Sequence, residues 1–213
     1  MDFERLLELV GDEPIFESSL LLAGDVKPEI IHLQLARWTR AGRIQQLRRG
    51  LYMLAPPYQK VKPHPFLIAN RMQRASYVSC QTALAFYGMI PDVTPLTVSV
   101  TAGRPARWET ALGGFDFRHV KPDLLNGYRM IELANRQQAL VARPEKALLD
   151  LVYLQPGGDE IEYLRELRLQ SLEILDLDEL YRQAEIFKMP KLRRAAQRIA
   201  ELTKNEVLEY EEI

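Results

Sequence analysis

The chain has 213 residues, enough for one or two domains, and its 47% hydrophobic and 27% charged residues are typical of soluble globular proteins. Its single cysteine, Cys80, excludes an internal disulfide and a metal cage built from thiolates. The uninterrupted apolar runs are far too short for a membrane span, and the first residues are acidic where an export signal is basic. We therefore expect a cytoplasmic protein with no membrane partner, no metal and no cofactor.

The formal net charge is −1, but the charges are distributed unevenly along the chain. Residues 27–74 contain ten basic side chains and one acid, Glu29, whereas residues 145–213 contain ten basic and sixteen acidic side chains. A basic segment in a nearly neutral chain is typical of a nucleic-acid surface on one part of the molecule. The alternative is chance clustering of charge on solvated faces.

The first stretch of the chain has the pattern of three helices followed by a hairpin. Glycines and a proline mark the ends of these elements, because glycine commonly follows a helix and proline is favoured in a first turn. The first predicted helix ends at Gly11, and a short second helix around Phe16, Leu20 and Leu21 ends at Gly24 and Asp25. The third predicted helix runs from Pro28 to Ala41, and two strands follow at 44–47 and 51–54. This order predicts a winged helix-turn-helix over residues 1–55.

The third helix of this unit is the candidate recognition helix. At about 100° per residue, Ile31, Leu35 and Trp38 share one face, which we expect to pack on the preceding helices. The opposite face would enter the major groove, and the hairpin would contact the DNA backbone. The candidate DNA-binding residues are Glu29, Leu33, Ala36, Arg37 and Arg40 on the helix and Arg43, Arg48 and Arg49 at the hairpin. In the alternative interpretation these arginines are merely solvated.

The remainder of the chain predicts an α+β domain with a small sheet, followed by helices. Prolines at 56, 57, 63 and 65 predict a stiff linker over residues 56–65. Residues 66–156 mix helical spacing with alternating strands, of which 96–101 is the clearest, and residues 157–213 are helical and are expected to pack on the α+β domain. The predicted fold class is therefore α+β, with an N-terminal winged helix-turn-helix.

No motif in the chain indicates a catalytic centre. Walker and dinucleotide-binding glycine loops, a zinc-protease helix and a nucleophile elbow are all absent from the sequence. Glu145 and Lys146 are the residue types of a metal-dependent nuclease, but the neighbouring strand 139–142 supplies no aspartate. Glu145 and Asp150 lie about 140° apart on their helix, so their carboxylates do not converge. We expect no catalytic and no metal-binding residues.

Several strings of the middle stretch resemble one protein family. They are Tyr-Val-Ser-Cys-Gln-Thr-Ala-Leu-Ala-Phe-Tyr-Gly at 77–88, Thr-Val-Ser-Val-Thr at 97–101, Arg-Pro-Glu-Lys-Ala-Leu-Leu-Asp at 143–150, and the Arg-Gly-Leu-Tyr turn at 49–52. Together they resemble the AbiEi-type antitoxins and transcriptional regulators of bacterial type IV, or abortive-infection, toxin–antitoxin systems. The resemblance covers roughly residues 15–155. It implies a winged helix that represses the protein's own operon, and a remainder that counters a nucleotidyltransferase-like toxin.

The predicted function is therefore a non-enzymatic antitoxin and DNA-binding repressor. Its expected partners are the double-stranded DNA of its own promoter and the cognate toxin, with a homodimer on DNA if the operator is an inverted repeat. Two alternatives remain open: a metal-dependent nuclease-like enzyme, and a protein-interaction adaptor that does not bind DNA.

Overall fold

The computed structural model describes residues 1–22, 27–91 and 95–211, with side chains described up to residue 204. Over these residues the chain forms a mixed α+β fold with two sheets, which confirms the α+β part of the predicted fold class. None of the helices in these ranges is long and apolar enough to cross a membrane. The predicted helix end at Gly24 and Asp25 lies outside the described residues.

The N-terminal unit combines two helices with a three-stranded antiparallel sheet. Asp2 accepts a hydrogen bond from the Arg5 amide and so caps α1, and Gly11 ends this helix with a φ of +58°. The sheet has the order β1-β3-β2, with β1 paired to β3. The elements are α1 (Phe3–Val10), β1 (Phe16–Glu17), a 3₁₀ turn (Ser18–Leu22), α2 (Pro28–Arg40), β2 (Ile44–Arg48) and β3 (Leu51–Leu54).

A six-stranded mixed sheet forms the centre of the remaining chain, in the order β6-β7-β5-β4-β9-β8. Helix α3 packs on β4, β5 and β9, while α5 contacts α4, α7 and α8. The strands are β4 (Ser76–Val78), β5 (Leu96–Thr101), β6 (Ala106–Thr110), β7 (Gly113–His119), β8 (Tyr128–Glu132) and β9 (Gln138–Ala142). The helices are α3 (Pro65–Met72), α4 (Cys80–Phe86), α5 (Pro144–Leu154), α6 (Ile161–Glu166), α7 (Leu177–Ile186) and α8 (Pro190–Glu211).

The N-terminal sheet is buried on both of its faces. Successive side chains of a strand point to opposite faces, so β3 presents Tyr52 and Leu54 on one side and Leu51 and Met53 on the other. Tyr52 and Leu54 belong to the core of the N-terminal unit, whereas Leu51 and Met53 belong to the core of the six-stranded sheet. The two units therefore share β3 as a common wall.

The proline-rich segment 56–65 is also held by specific contacts. The Tyr58 ring meets the Phe3 ring edge-on at 4.9 Å in the N-terminal core. On the other side the Gln137 side chain accepts from the His64 amide (2.8 Å) and donates to the Lys62 carbonyl (3.0 Å). The segment is thus bonded to both units along its length.

Several elements differ from the sequence prediction. Residues 16–22, predicted as a helix, form β1 and a 3₁₀ turn, because Phe16 pairs with Tyr52 of β3. The predicted small sheet has six strands in the structure. Strands β4 and β6 were not predicted from the sequence. Helix α7 starts after Asp176, whose side chain accepts from the Glu179 amide (3.0 Å).

Candidate nucleic-acid interface

Helix α2 packs against the core of the N-terminal unit with one face and exposes its opposite face to solvent. Pro28 stands in its first turn, and Ile31, Leu35 and Trp38 are buried in the N-terminal core. All five candidate residues of the opposite face are exposed: Glu29, Leu33, Ala36, Arg37 and Arg40. The helical periodicity therefore placed these side chains on the surface as predicted.

An open groove of about 750 Å³ runs between α2 and the β2–β3 hairpin. Arg40 lines it from the helix and Arg49 from the hairpin tip, where Gly50 adopts a φ of +80°. The other lining residues are Ser18, His32, Ala36, Thr39, Gln46, Gly50 and Tyr52. No carboxylate is among these lining residues, so the groove has a positive potential that suits a polyanion.

Tyr52 and Gln46 form the floor of this groove. The Gln46 side-chain amide donates to the Tyr52 hydroxyl at 3.2 Å. Burial raises the pKa of Tyr52, so its phenol stays neutral and does not oppose an anionic ligand. The floor is thus polar and uncharged, between two cationic walls.

The other two candidate arginines of the hairpin lie elsewhere. The Arg43 guanidinium stands 4.9 Å from the centroid of the Phe3 ring, at the opposite end of β2 from the tip. The half-buried Arg48 donates from Nη2 to the Arg71 carbonyl (3.3 Å) and from Nη1 to the Arg49 carbonyl (3.0 Å). Arg48 therefore connects the hairpin tip to α3 rather than projecting freely into solvent.

Three basic residues near the hairpin tip were not among the predicted site residues. Exposed Arg71 provides the carbonyl that Arg48 binds, and Arg74 pairs with Glu17 of β1 at 3.3 Å. Exposed Arg104 is adjacent, because its carbonyl accepts from Gln73 Nε2 at 2.9 Å. Arg71 and Arg74 belong to the basic block 27–74, but their proximity to the tip follows from tertiary contacts that no local pattern encodes.

The Pro-Glu-Lys-Ala-Leu-Leu-Asp string that carries part of the family resemblance lies in the protein interior. On α5, Lys146 donates to Asp150 Oδ1, and both side chains are fully buried. Asp150 Oδ2 accepts from the hydroxyls of Tyr77 (3.0 Å) and Ser79 (2.8 Å). The ammonium of Lys146 also lies 4.4 Å from the centroid of the Phe187 ring. These contacts tie β4, α5 and the end of α7 together.

The protonation of this buried cluster reflects its isolation from water. Burial raises the pKa of Asp150, against the opposing effect of Lys146 and the two hydroxyl donors. Burial and the neighbouring Asp150 raise the pKa of Tyr77, and burial raises the pKa of the Cys80 thiol to about 12. Cys80 is therefore a buried, protonated thiol.

The two residue types that suggested a nuclease do not converge. Glu145 accepts from the Asp176 amide at 2.9 Å and so holds the start of α7, while Lys146 is paired with Asp150. Among the residues that the structure describes, no three His, Cys, Asp or Glu side chains are grouped to hold a metal ion.

Comparisons with known proteins find a similar fold but no family. No family model matches the chain, and no curated protein matches it. The fold is similar to that in the crystal structure of the RV2827C protein from Mycobacterium tuberculosis, with a TM-score of 0.56 and 16% sequence identity. The match covers 92% of this chain and 75% of that one, so most of the architecture described above also occurs in that protein.

Proposed function

We propose that this chain is a DNA-binding regulator and that residues 1–55 act as a winged helix-turn-helix. Its order of elements supports the proposal: helix, short strand, short helical turn, longer helix, hairpin. The pairing of β1 with β3, the second strand of the hairpin, supports it too. In this motif the helix before the hairpin enters the major groove and the hairpin contacts the flanking backbone.

The observation that carries the proposal is the acid-free groove between α2 and the hairpin tip. Arg37 and Arg40 are exposed in the last turn of α2, and Arg49 lines the groove on the side opposite Arg40. Guanidinium groups bind phosphate oxygens bidentately, and they keep their charge at any physiological pH. Arg71, Arg74 and Arg104 extend this basic surface past the hairpin tip, which adds to its attraction for a phosphate backbone.

The family resemblance suggests what the regulator controls. We propose that it represses its own operon and opposes a nucleotidyltransferase-like toxin without being an enzyme itself. Helices α6, α7 and α8 and the strands of the six-stranded sheet contain none of the residues of the basic surface, and they supply the surface we assign to the antitoxin role.

Binding of the full chain to duplex DNA tests the DNA-binding proposal. The probe is a labelled duplex of the region upstream of its gene, titrated at several salt concentrations. We expect Arg40→Ala/Arg49→Ala to weaken binding and to reduce the salt slope by about one unit per lost phosphate contact. Lys121→Ala/Arg165→Ala is the matched control, because it also removes two exposed positive charges, both outside the N-terminal unit. Wild-type affinity of the double variant at physiological salt would refute the assignment.

A reporter and a toxicity assay test the biological role. The promoter is fused to a reporter, and a gene for a nucleotidyltransferase-like protein from the same operon, which the proposal requires, is induced in the same cells. We expect Arg40→Ala/Arg49→Ala to lose repression and to keep protection from the toxin, because the altered residues lie outside the proposed antitoxin surface. Loss of both activities in a variant that remains folded would contradict this division.

A further inference from the structure

The exposed face of α2 has two chemically different halves. The N-terminal half presents Glu29, Ile30 and Leu33, and the C-terminal half presents Arg37 and Arg40. Ile30 is 49% exposed and Leu33 is 52% exposed, although both are large aliphatic side chains. Leu33 lies almost opposite the buried stripe of Ile31 and Leu35, so no rotation of the helix would bury it without exposing that core.

The position of these side chains matches the part of a recognition helix that contacts bases. In helix-turn-helix complexes the N-terminal residues of the recognition helix contact base edges. In the major groove thymine presents its 5-methyl group, which apolar side chains contact. Cytosine presents its N4 amine, from which Glu or Asp accepts a hydrogen bond.

Glu29 is an acidic side chain on a helix face that is otherwise apolar or basic. It is the single acid among residues 27–74, and it lies on the helix face that the proposed function turns toward phosphates. A carboxylate near a phosphate backbone is repelled unless a donor compensates for that repulsion, and a cytosine N4 amine is such a donor. Glu29 therefore selects against duplexes that lack a cytosine at its position.

We propose that α2 recognises its DNA site through thymine methyl groups at Leu33 and Ile30 and a cytosine amine at Glu29. Arg37 and Arg40, on the C-terminal half, hold phosphates and carry no base preference. This inference rests on the proposed DNA binding and adds to it the chemical class of base contact.

The test begins with selection of bound duplexes from a random library by the full chain. Each thymine of the selected duplex is then replaced in turn by deoxyuridine, which removes only the 5-methyl group. We expect replacement at one or two positions to weaken binding about fourfold, the contribution of one buried methyl group. Leu33→Ala should lose the sensitivity at the position that Leu33 contacts, because that side chain is gone, and should keep any sensitivity at the position that Ile30 contacts.

Two further variants separate the parts of the inference. Repeating the selection with Glu29→Ala should abolish the preference for cytosine at one position of the site. Met130→Ala is the matched control, because Met130 is a similarly exposed apolar residue (55%) on the edge strand β8. This control should keep the full sensitivity to deoxyuridine.

The outcomes distinguish this inference from the proposed function. If no duplex is enriched, both the DNA binding and its mode of recognition are refuted. If a duplex is enriched but every deoxyuridine form binds as well as the thymine form, only the inference fails. A Leu33→Ala variant that keeps the wild-type deoxyuridine sensitivity at every position also overturns the inference, and one that changes oligomeric state rather than DNA preference assigns Leu33 to a protein contact instead.

Discussion

The buried Lys146–Asp150 pair allows a quantitative test of the role of the Pro-Glu-Lys-Ala-Leu-Leu-Asp string. Replacing Asp150 by Leu leaves the Lys146 ammonium buried, with the faces of the Phe187 and Tyr77 rings as weak compensation. It also deprives the Tyr77 and Ser79 hydroxyls of their acceptor. Removing one partner of a buried pair costs about 3–5 kcal/mol, a large part of a typical unfolding free energy of about 5–15 kcal/mol.

Replacing both partners at once should cost less than the sum of the two single substitutions. In Lys146→Met/Asp150→Leu no charge is left buried and the side chains keep similar volumes, so the remaining cost is that of the two buried hydroxyls without an acceptor, about 1–3 kcal/mol each. The two single substitutions should therefore be strongly non-additive, with a coupling of at least about 2 kcal/mol. Urea denaturation followed by circular dichroism measures all four free energies of unfolding.

The DNA affinity of the folded double variant completes the test. Because the pair lies in the interior between β4 and α5, we expect wild-type affinity for the upstream duplex. Single substitutions that each cost less than about 1 kcal/mol and add up in the double variant would refute the structural role. A folded double variant that protects no cell from the toxin would show that the string acts beyond the fold.

Two further predictions concern the thiol and the shared sheet. Because the pKa of Cys80 is about 12 when folded and about 9 when unfolded, the unfolded state loses its proton first. The free energy of unfolding should therefore fall above pH 9 by up to about 1.4 kcal/mol per pH unit, and it should fall less steeply in Cys80→Ala. In a separate test at pH 8, an aromatic disulfide reagent should label the thiol only after the protein has been unfolded in urea. A fragment of residues 1–60 would expose Ile15, Leu47, Leu51 and Met53, which the full chain buries in the core of the six-stranded sheet. Burial of each side chain contributes about 1.5–3 kcal/mol, and the total loss exceeds the free energy of unfolding expected for so small a unit. We expect this fragment to show no cooperative thermal transition, and a sharp one like that of the full chain would contradict the shared core.

Elements whose pattern is complete within one segment were predicted well. The strand 96–101 alternates apolar and polar residues throughout, and α2 shows its proline start and its buried stripe in thirteen residues. By contrast, β4 is three residues long and wholly buried, so it carries no alternation, and β6 is an exposed edge strand. Residues 16–17 form a strand because β3, far along the chain, is there to pair with them.

The candidate site was predictable to the same extent. The exposure of Arg37 and Arg40 follows from helical periodicity, because the buried face of α2 fixes the opposite one. The place of Arg48 does not follow, since its partner is a backbone carbonyl of α3. The turn at Gly50 predicted a hairpin, but not that α3 lies against its tip.

The position of the basic surface relative to the six-stranded sheet is set by packing rather than by the segment 56–65. Leu51 and Met53 anchor β3 to the central core, while Tyr52 and Leu54 anchor the same strand to the helices of the N-terminal unit. A rotation of α2 against the sheet would have to expose one of these two sets, at about 1.5–3 kcal/mol for each large side chain. Arg49 and Arg71 consequently keep a fixed separation. Under the proposed DNA binding, a duplex would have to fit both of them at once, and the second domain would then help to position it although it lies outside residues 1–55.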